Sequence, residues 1–188
     1  MVDIFSSDGE WLRGCLHVHT TNSDGALTPQ EVVDFYASRG FGLVALTDHG
    51  KVTDVEGLES RGMVLLTGVE KGAGRSQVGS TLHWVLVGMK QELEEPDEGM
   101  DAAQAAQFLA QQAEVLLLAH PYWSGLCVED MLCCDWYQAV EVFNTGCEYE
   151  TQRGDSTHHW DELLAALEAG AQEDLYTGGL LPDLALIH

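Results

Sequence analysis

The sequence predicts an α/β protein built mainly on parallel strands. Two observations carry this. Short apolar runs alternate with amphipathic segments along the chain, the order that produces strand–helix–strand units. Polar side chains able to bind a metal close those runs: His17 and His19, His49, Glu70 and His120. Parallel α/β architectures place their chemistry at such strand ends.

Each element has a local reason. A strand is expected near residues 11 to 18, ending at His19. The next segment, TTNSDGALTPQEVVDFYASRG, reads as a turn and a helix. Thr28 is the N-cap, Pro29 the first helical residue, and Glu31 completes a Thr-x-x-Glu capping box. Val32, Phe35 and Tyr36 form the expected buried stripe, and Gly40 stops the helix. FGLVALT suits a strand covered on both sides and runs into Asp48-His49. MVLLTGVE is expected to be a strand ending at Glu70, KGAGRSQVGS a Gly-rich turn, and LHWVLVG the next strand. QELEEPDEGMD carries six acidic residues and no basic one, which predicts a solvated loop. DAAQAAQFLAQQA is rich in helix formers. EVLLLAHP and QAVEVFN are further strands. STHHWDELLAALEAG is a helix with Trp160, Leu163, Leu164 and Leu167 on one face.

Composition bounds the function. The chain has 188 residues, 45% of them hydrophobic, enough for a core and suited to one domain spanning 1–188. A formal net charge of −23 repels nucleic acid and anionic membrane surfaces. It also repels a phosphorylated substrate unless bound cations reverse the sign locally. The five cysteines are odd in number and form no Cys-x-x-Cys pair. Reduced thiols in a cytoplasmic setting are therefore expected. MVDIFSSDGEW has neither the basic lead nor the apolar run of a signal peptide, and no run approaches a membrane span.

The segment CLHVHTTNSDG carries most of the chemical information. Along a strand, alternate side chains share a face. His17 and His19 therefore project together, a poor way to fill a core and a good way to begin a metal site. Strand ends delivering imidazoles and a carboxylate to one place make a ligand set for Zn, Mn or Fe, too rich in nitrogen for Ca or Mg.

In this order and spacing, LHVHTTNSDGALTP, VALTDHG, LLTGVE, LAHP and VEVFN resemble the PHP (polymerase and histidinol phosphatase) domains. The resemblance is strongest over residues 11–170. The stretch from VEVFN to WDELLAALEAG looks like the branch that includes carbaryl-type ester hydrolases. The resemblance implies a distorted (β/α)7 TIM-like barrel with two to three divalent metals. It assigns His17, His19 and Glu70 to a first metal and lets Glu70 bridge to a second, also held by His83 and His120. Asp24 and His49 match two ligands of a third. The family's late Asp-x-His motif is missing from the atypical tail, 171–188. Asp183 and His188 stand five apart there. This implies a barrel incomplete at its C-terminus and a weakened site.

Each residue has a plainer reading as well. Asp24 lies in Ser-Asp-Gly, ordinary turn chemistry; His83 would also serve as a core histidine. Asp48 is expected to support the ligands from behind. Lys71 directly follows a ligand position, Lys51 follows one after Gly50, and both are natural anion contacts. Glu70, Asp48 and Lys71 are thus the catalytic candidates. Glu141 and Asn144 end a strand near the ligands, with a structural and a substrate role equally open. His158 and His159 are expected to be solvated at a helix start. No Ser-His-Asp set, nucleophile elbow or Walker spacing is present.

The expected activity is a metal-dependent phosphoesterase, with a metal-bridged hydroxide as nucleophile, on a small-molecule phosphate ester. The alternatives are a carboxylic or carbamate ester hydrolase of the same fold, and a non-catalytic metal-binding module. A short oligonucleotide end is the one nucleic-acid substrate the charge permits.

Overall fold

A computed structural model describes residues 11–89, 91–132 and 136–170, and the backbone of 185–187. The chain forms two compact units interleaved in sequence. The first comprises Met1–Lys71, Val85–Glu94 and Gln112–Glu114; the second comprises Gly72–Trp84, Glu95–Gln111 and Val115–His188. The expectations for Cys133, Cys134, Asp183 and His188 lie outside the described residues.

The first unit contains β1 (Gly14–Cys15), α1 (Pro29–Ala37), β2 (Leu43–Leu46) and the start of β3 (Val64–Arg75). β1 and β3 both pair in parallel with β2, in the register Cys15↔Val44 and Leu46↔Thr67. The capping box forms as predicted: Thr28 accepts from the Glu31 N–H, and Glu31 accepts in return. The predicted stripe needs correction. Val32 and Val33 are the buried residues, and Phe35 faces outward beneath the Arg39 guanidinium, 3.4 Å above its ring. A helix of nine residues buries only a narrow arc, here Val32, Val33, Tyr36 and Ala37 against Val44, Leu46 and Met63.

β3 does not end at Glu70. It continues to Arg75, so most of KGAGR is strand, and the turn is confined to residues 76–80, where the Ser76 N–H donates to the Ser80 carbonyl at 2.8 Å. The glycines that suggest a turn serve another purpose. A Cβ on Gly74 (φ +77) would meet the Ala102 Cα at 2.7 Å; glycine in a strand often marks such a close approach. The hairpin also departs from the mainly parallel order expected. β4 (Thr81–Val87) runs against β3, with Gly88 N–H bonded to Thr67 O. It also runs against β5 (Val115–Leu118), with Ala119 N–H bonded to His83 O and Glu114 N–H to Val87 O.

The second unit adds α2 (Ala102–Ala110), α3 (Pro121–Ser124), α4 (Val128–Leu132), β6 (Ala139–Glu141), α5 (Thr145–Thr151), α6 (Thr157–Gly170) and β7 (Ala185–Ile187). β5, β6 and β7 pair in parallel. Trp84 is fully buried and satisfies its indole N–H on the Ala73 carbonyl at 3.0 Å, as a buried Trp must. The described architecture is thus mixed α/β, parallel in β1–β2–β3 and in β5–β6–β7. Among the described residues, no helix is long and apolar enough to cross a membrane.

Candidate metal centre

The site in the first unit is assembled by backbone pairing beyond the regular strands. β1 stops at Cys15, short of the expected end, yet the next residues stay extended along β2. Val18 and Thr47 exchange three bonds: Thr47 N–H to Val18 O at 2.9 Å, Val18 N–H to Thr47 Oγ1 at 2.9 Å, and Thr47 Oγ1 to Val18 O at 3.1 Å. His17 and His19 therefore keep a common face, with ring centroids 5.2 Å apart. Past β2, His49 bridges in parallel to Glu70, with Gly50 N–H on Glu70 O at 2.9 Å and Glu70 N–H on Asp48 O at 3.1 Å.

The side chains converge on one oxygen. Oε2 of Glu70 lies 3.1 Å from His17 Nε2, 2.8 Å from His19 Nε2 and 3.2 Å from His49 Nδ1. The two Nε2 atoms are themselves 3.2 Å apart. Asp24 closes the group, with Oδ1 2.8 Å from His19 Nδ1 and Oδ2 3.4 Å from His49 Nε2. Glu70 is 1% exposed.

This donor set suits a cation. One carboxylate oxygen has two lone pairs and here faces three ring nitrogens. If the His19 Nδ1–H donates to Asp24, its Nε2 turns a lone pair on Glu70, which only a proton or a metal relieves. Without metal the proton is favoured. Burial pushes the His19 pKa down, but its bonds to Glu70 and Asp24 outweigh that and leave it raised. Asp24 answers in the opposite direction: burial pushes its carboxyl up, and the His19 bond holds it below the ordinary value. Metal–ligand bonds of about 2.0–2.2 Å put neighbouring donor atoms about 3–3.5 Å apart, close to the separations here. The donor atoms of His19, His49 and Glu70 all lie within 4.8 Å of one another.

Asp48 sits behind this group. Its buried carboxylate accepts four hydrogen bonds: from Thr20 N–H at 2.7 Å, Thr20 Oγ1 at 2.8 Å, Ser23 Oγ at 2.7 Å and Thr53 Oγ1 at 2.5 Å. Burial pushes its pKa up; the bonds from Thr53, Ser23 and Thr20 bring it below the ordinary value. Lys71 follows Glu70 within β3, and strand alternation turns it to the opposite face; Lys51 is exposed.

The second unit pairs the other two predicted ligands with each other. The rings of His83 and His120 meet at 5.1 Å, and both contact Trp123, at 5.5 and 5.0 Å. His120 has φ +25, a rare conformation for a residue with a side chain. Buried Glu141 holds it there, accepting the His120 N–H at 3.0 Å. Asn144 donates to both Glu141 oxygens, at 3.1 and 3.2 Å, and caps α5 by accepting from Cys147 N–H. Glu141 and Asn144, whose role the sequence left open, thus have structural partners here. Trp123 carried no such signal, because an aromatic after His-Pro is ordinary loop composition.

His159 is not solvated as expected. Its Nε2 donates to the Leu126 carbonyl at 3.1 Å, its Nδ1 is buried without a partner, and its ring lies 5.6 Å from Tyr122. His158 is exposed and pairs with Glu162 at 3.0 Å. Burial lowers the His159 pKa, so the unfolded chain takes a proton there that the folded chain refuses. This penalty is absent well above the unfolded value of about 6.5 and grows as the pH falls below it. The melting temperature of the wild type is therefore expected to drop relative to His159→Gln between pH 7.5 and pH 5.5. A difference constant across that range would contradict the buried placement.

No protein-family model matches the chain. A curated 3',5'-nucleoside bisphosphate phosphatase from Chromobacterium violaceum is 48% identical over 59 residues, covering 29% of this chain and 21% of that protein. A 5'-3' exoribonuclease from Haemophilus influenzae is 39% identical over 59 residues, covering 29% and 22%. Among solved structures, an amidohydrolase from Chromobacterium violaceum with bound sulfate and no metal is 35% identical. It covers 51% of this chain and 32% of that one, with a TM-score of 0.36. A two-domain protein from Bacteroides vulgatus, containing a predicted PHP-like metal-dependent phosphoesterase, is 20% identical and covers 71% and 44%, with a TM-score of 0.47. The chain spans about a fifth of the length of the curated relatives it matches.

Proposed function

We propose that the chain is a metal-dependent hydrolase of the PHP type that acts on small phosphate esters. The observation that carries this is the convergence of His17, His19 and His49 on the buried Glu70 oxygen, an arrangement that positive charge satisfies. In this reading His17, His19, Asp24, His49 and Glu70 hold divalent metal, and His83 and His120 are ligands of a further ion. The imidazole-rich set favours Zn, Mn or Fe. Two to three sites, a distorted (β/α)7 barrel and a cytoplasmic location belong to the same proposal. The curated relatives act, by name, on a nucleoside bisphosphate and on RNA ends; a phosphate ester of that kind is the substrate class proposed here.

A divalent cation at this site would supply Lewis acidity and acidify bound water to a pKa near ~7. The protein's own residues do the rest. Asp24 fixes the His19 ring through Nδ1 and so aims Nε2 inward. Glu141 holds the His120 backbone in its strained turn. Asp48 fixes residues 20–24 and is a positioning residue.

The test is metal content together with turnover. Protein loaded with Mn, Zn or Fe is screened against phosphomonoesters, nucleoside bisphosphates, short oligonucleotides and aryl or carbamate esters. Phosphoester hydrolysis is expected, abolished by chelation, restored by metal, and falling below roughly pH 6 as imidazole ligands protonate. Turnover of carboxylic or carbamate esters alone would move the substrate class. Tight metal with no hydrolysis would support the non-catalytic alternative. Activity that survives prolonged chelation would sink the metal reading.

A further inference from the structure

Thr47 is fully buried and directly follows the apolar strand β2. Valine has the same branched shape and would pack there as well, so the hydroxyl needs a reason of its own. Buried hydroxyls are hydrogen-bonded, and this one bonds to a single residue, twice. Thr47 Oγ1 accepts the Val18 N–H at 2.9 Å and donates to the Val18 carbonyl at 3.1 Å. The Thr47 N–H donates to the same carbonyl at 2.9 Å. Val18 is the residue between His17 and His19. In a regular parallel ladder its N–H would meet a main-chain carbonyl; β1 has ended at Cys15, and a side chain takes that place.

The place matters because a one-residue slip in strand pairing turns every side chain to the opposite face. What holds both main-chain groups of Val18 therefore holds the two imidazoles on the side of Glu70. The other branch of Thr47 faces β3. A Cβ on Gly68 would lie 2.7 Å from Thr47 Cγ2 and 2.6 Å from the Leu86 carbonyl, so glycine is what leaves room for the methyl. Gly68 stands two residues before Glu70, at a position of the same strand face. One side chain thus meets the segment that carries His17 and His19 with its hydroxyl, and the strand that carries Glu70 with its methyl. All of these residues belong to the first unit.

We infer that Thr47 is a positioning residue: its hydroxyl, bonded to both main-chain groups of Val18, keeps His17 and His19 aimed at Glu70. This rests on the metal-centre reading above and adds to it a residue that is not itself a ligand. The division of labour with Asp48 is clear, since the Asp48 carboxylate takes the Thr20 and Ser23 donors and Thr47 takes the residue between the two histidines.

Two variants separate the branches. Thr47→Val keeps the shape and removes the hydroxyl; Thr47→Ser keeps the hydroxyl and removes the methyl. Zn²⁺ affinity, measured by competition with a chromophoric chelator well below the melting temperature, is expected to fall about 10–100-fold in Thr47→Val, as for other residues that orient ligands. Thr47→Ser should stay close to the wild type. Thr47→Cys, whose thiol is a weak acceptor, should lie between them, and it serves the same comparison if the valine variant does not fold. Equal losses in the valine and serine variants would put the effect on packing and overturn the inference, as would wild-type affinity in Thr47→Val. The chelated protein gives a readout that needs no metal. There the wild type and Thr47→Ser should show a slowly exchanging Val18 amide and nuclear Overhauser effects between the rings of His17 and His19, whose Nε2 atoms lie 3.2 Å apart. In Thr47→Val the Val18 amide should exchange about tenfold faster or more, with β2 amides unchanged, and the ring effects should be lost. If the wild type binds no Zn²⁺, the metal reading fails, and these losses alone uphold the positioning role. A chelated Thr47→Val that keeps both the Val18 protection and the ring contacts overturns it in either case.

Discussion

Glu70→Ala is expected to remove most bound metal and to lower kcat/KM by about 10³-fold or more. The size follows from the geometry. Oε2 of Glu70 is within 3.2 Å of three ring nitrogens, so its loss takes the only buried negative charge from the centre of that group. Three neutral imidazoles with an exposed Asp24 hold a divalent ion less well, and the several kcal/mol of charge stabilisation that an ion provides converts to that factor in rate. Folding should suffer far less. A carboxylate buried without metal costs desolvation energy, and Ala removes that cost along with the contacts. The chelated variant should therefore melt within a few degrees of the chelated wild type, while metal analysis and turnover collapse. His17→Ala should act in the same direction with a smaller loss of metal, since two imidazoles and Glu70 remain. Full metal occupancy and wild-type turnover in Glu70→Ala would remove Glu70 from the site.

Much of this centre is legible in the sequence because its parts are local. The alternation of His17 and His19 needs only an extended backbone, which the Val18–Thr47 bonds preserve although β1 itself is two residues long. The Thr28–Glu31 capping box is a four-residue signal, and it forms. What the sequence conceals is non-local. Glycines at 72 and 74 suggest a turn because what approaches them, the Thr81 side chain and the Ala102 backbone, lies elsewhere along the chain. The reversal of β4 has no signature in an apolar run, which reads alike in either direction. His159 looks solvated at a helix start because its burial comes from Leu126 and Tyr122, more than 30 residues away. The hold of Glu141 on His120 is half visible: a charge inside an apolar strand invites a question, but its partner is a backbone N–H that no pattern of side chains encodes.

Asp48→Ala is expected to destabilise the protein by about 3–5 kcal/mol and to weaken metal binding, although Asp48 touches no predicted ligand side chain. Its carboxylate is the common acceptor for the Thr20 N–H and the hydroxyls of Thr20, Ser23 and Thr53. Ala leaves these donors without their acceptor, and bonds to a charged group are worth about 1.5–3 kcal/mol each, less than additively when shared. At this chain length 1 kcal/mol shifts Tm by about 2–4 °C, so a fall of about 10 °C is expected. The same bonds hang residues 20–24 in place. Without them Asp24 loses its aim at His19, and a loss of about 10–100-fold in metal affinity is expected, typical of a residue that orients a ligand. Asp48→Asn should fall between, since its amide nitrogen meets donors where an acceptor is required. The pH dependence separates this account from a simple packing defect. The folded pKa of Asp48 is lowered, so its contribution to stability is present above the unfolded carboxyl value of about 3.9. It is lost as the pH falls below that value through the folded one. The Tm gap between chelated wild type and Asp48→Asn should be largest near pH 6–7 and narrow toward pH 3. A gap that stayed constant or widened in acid would show that the charge on Asp48 is not what holds residues 20–24.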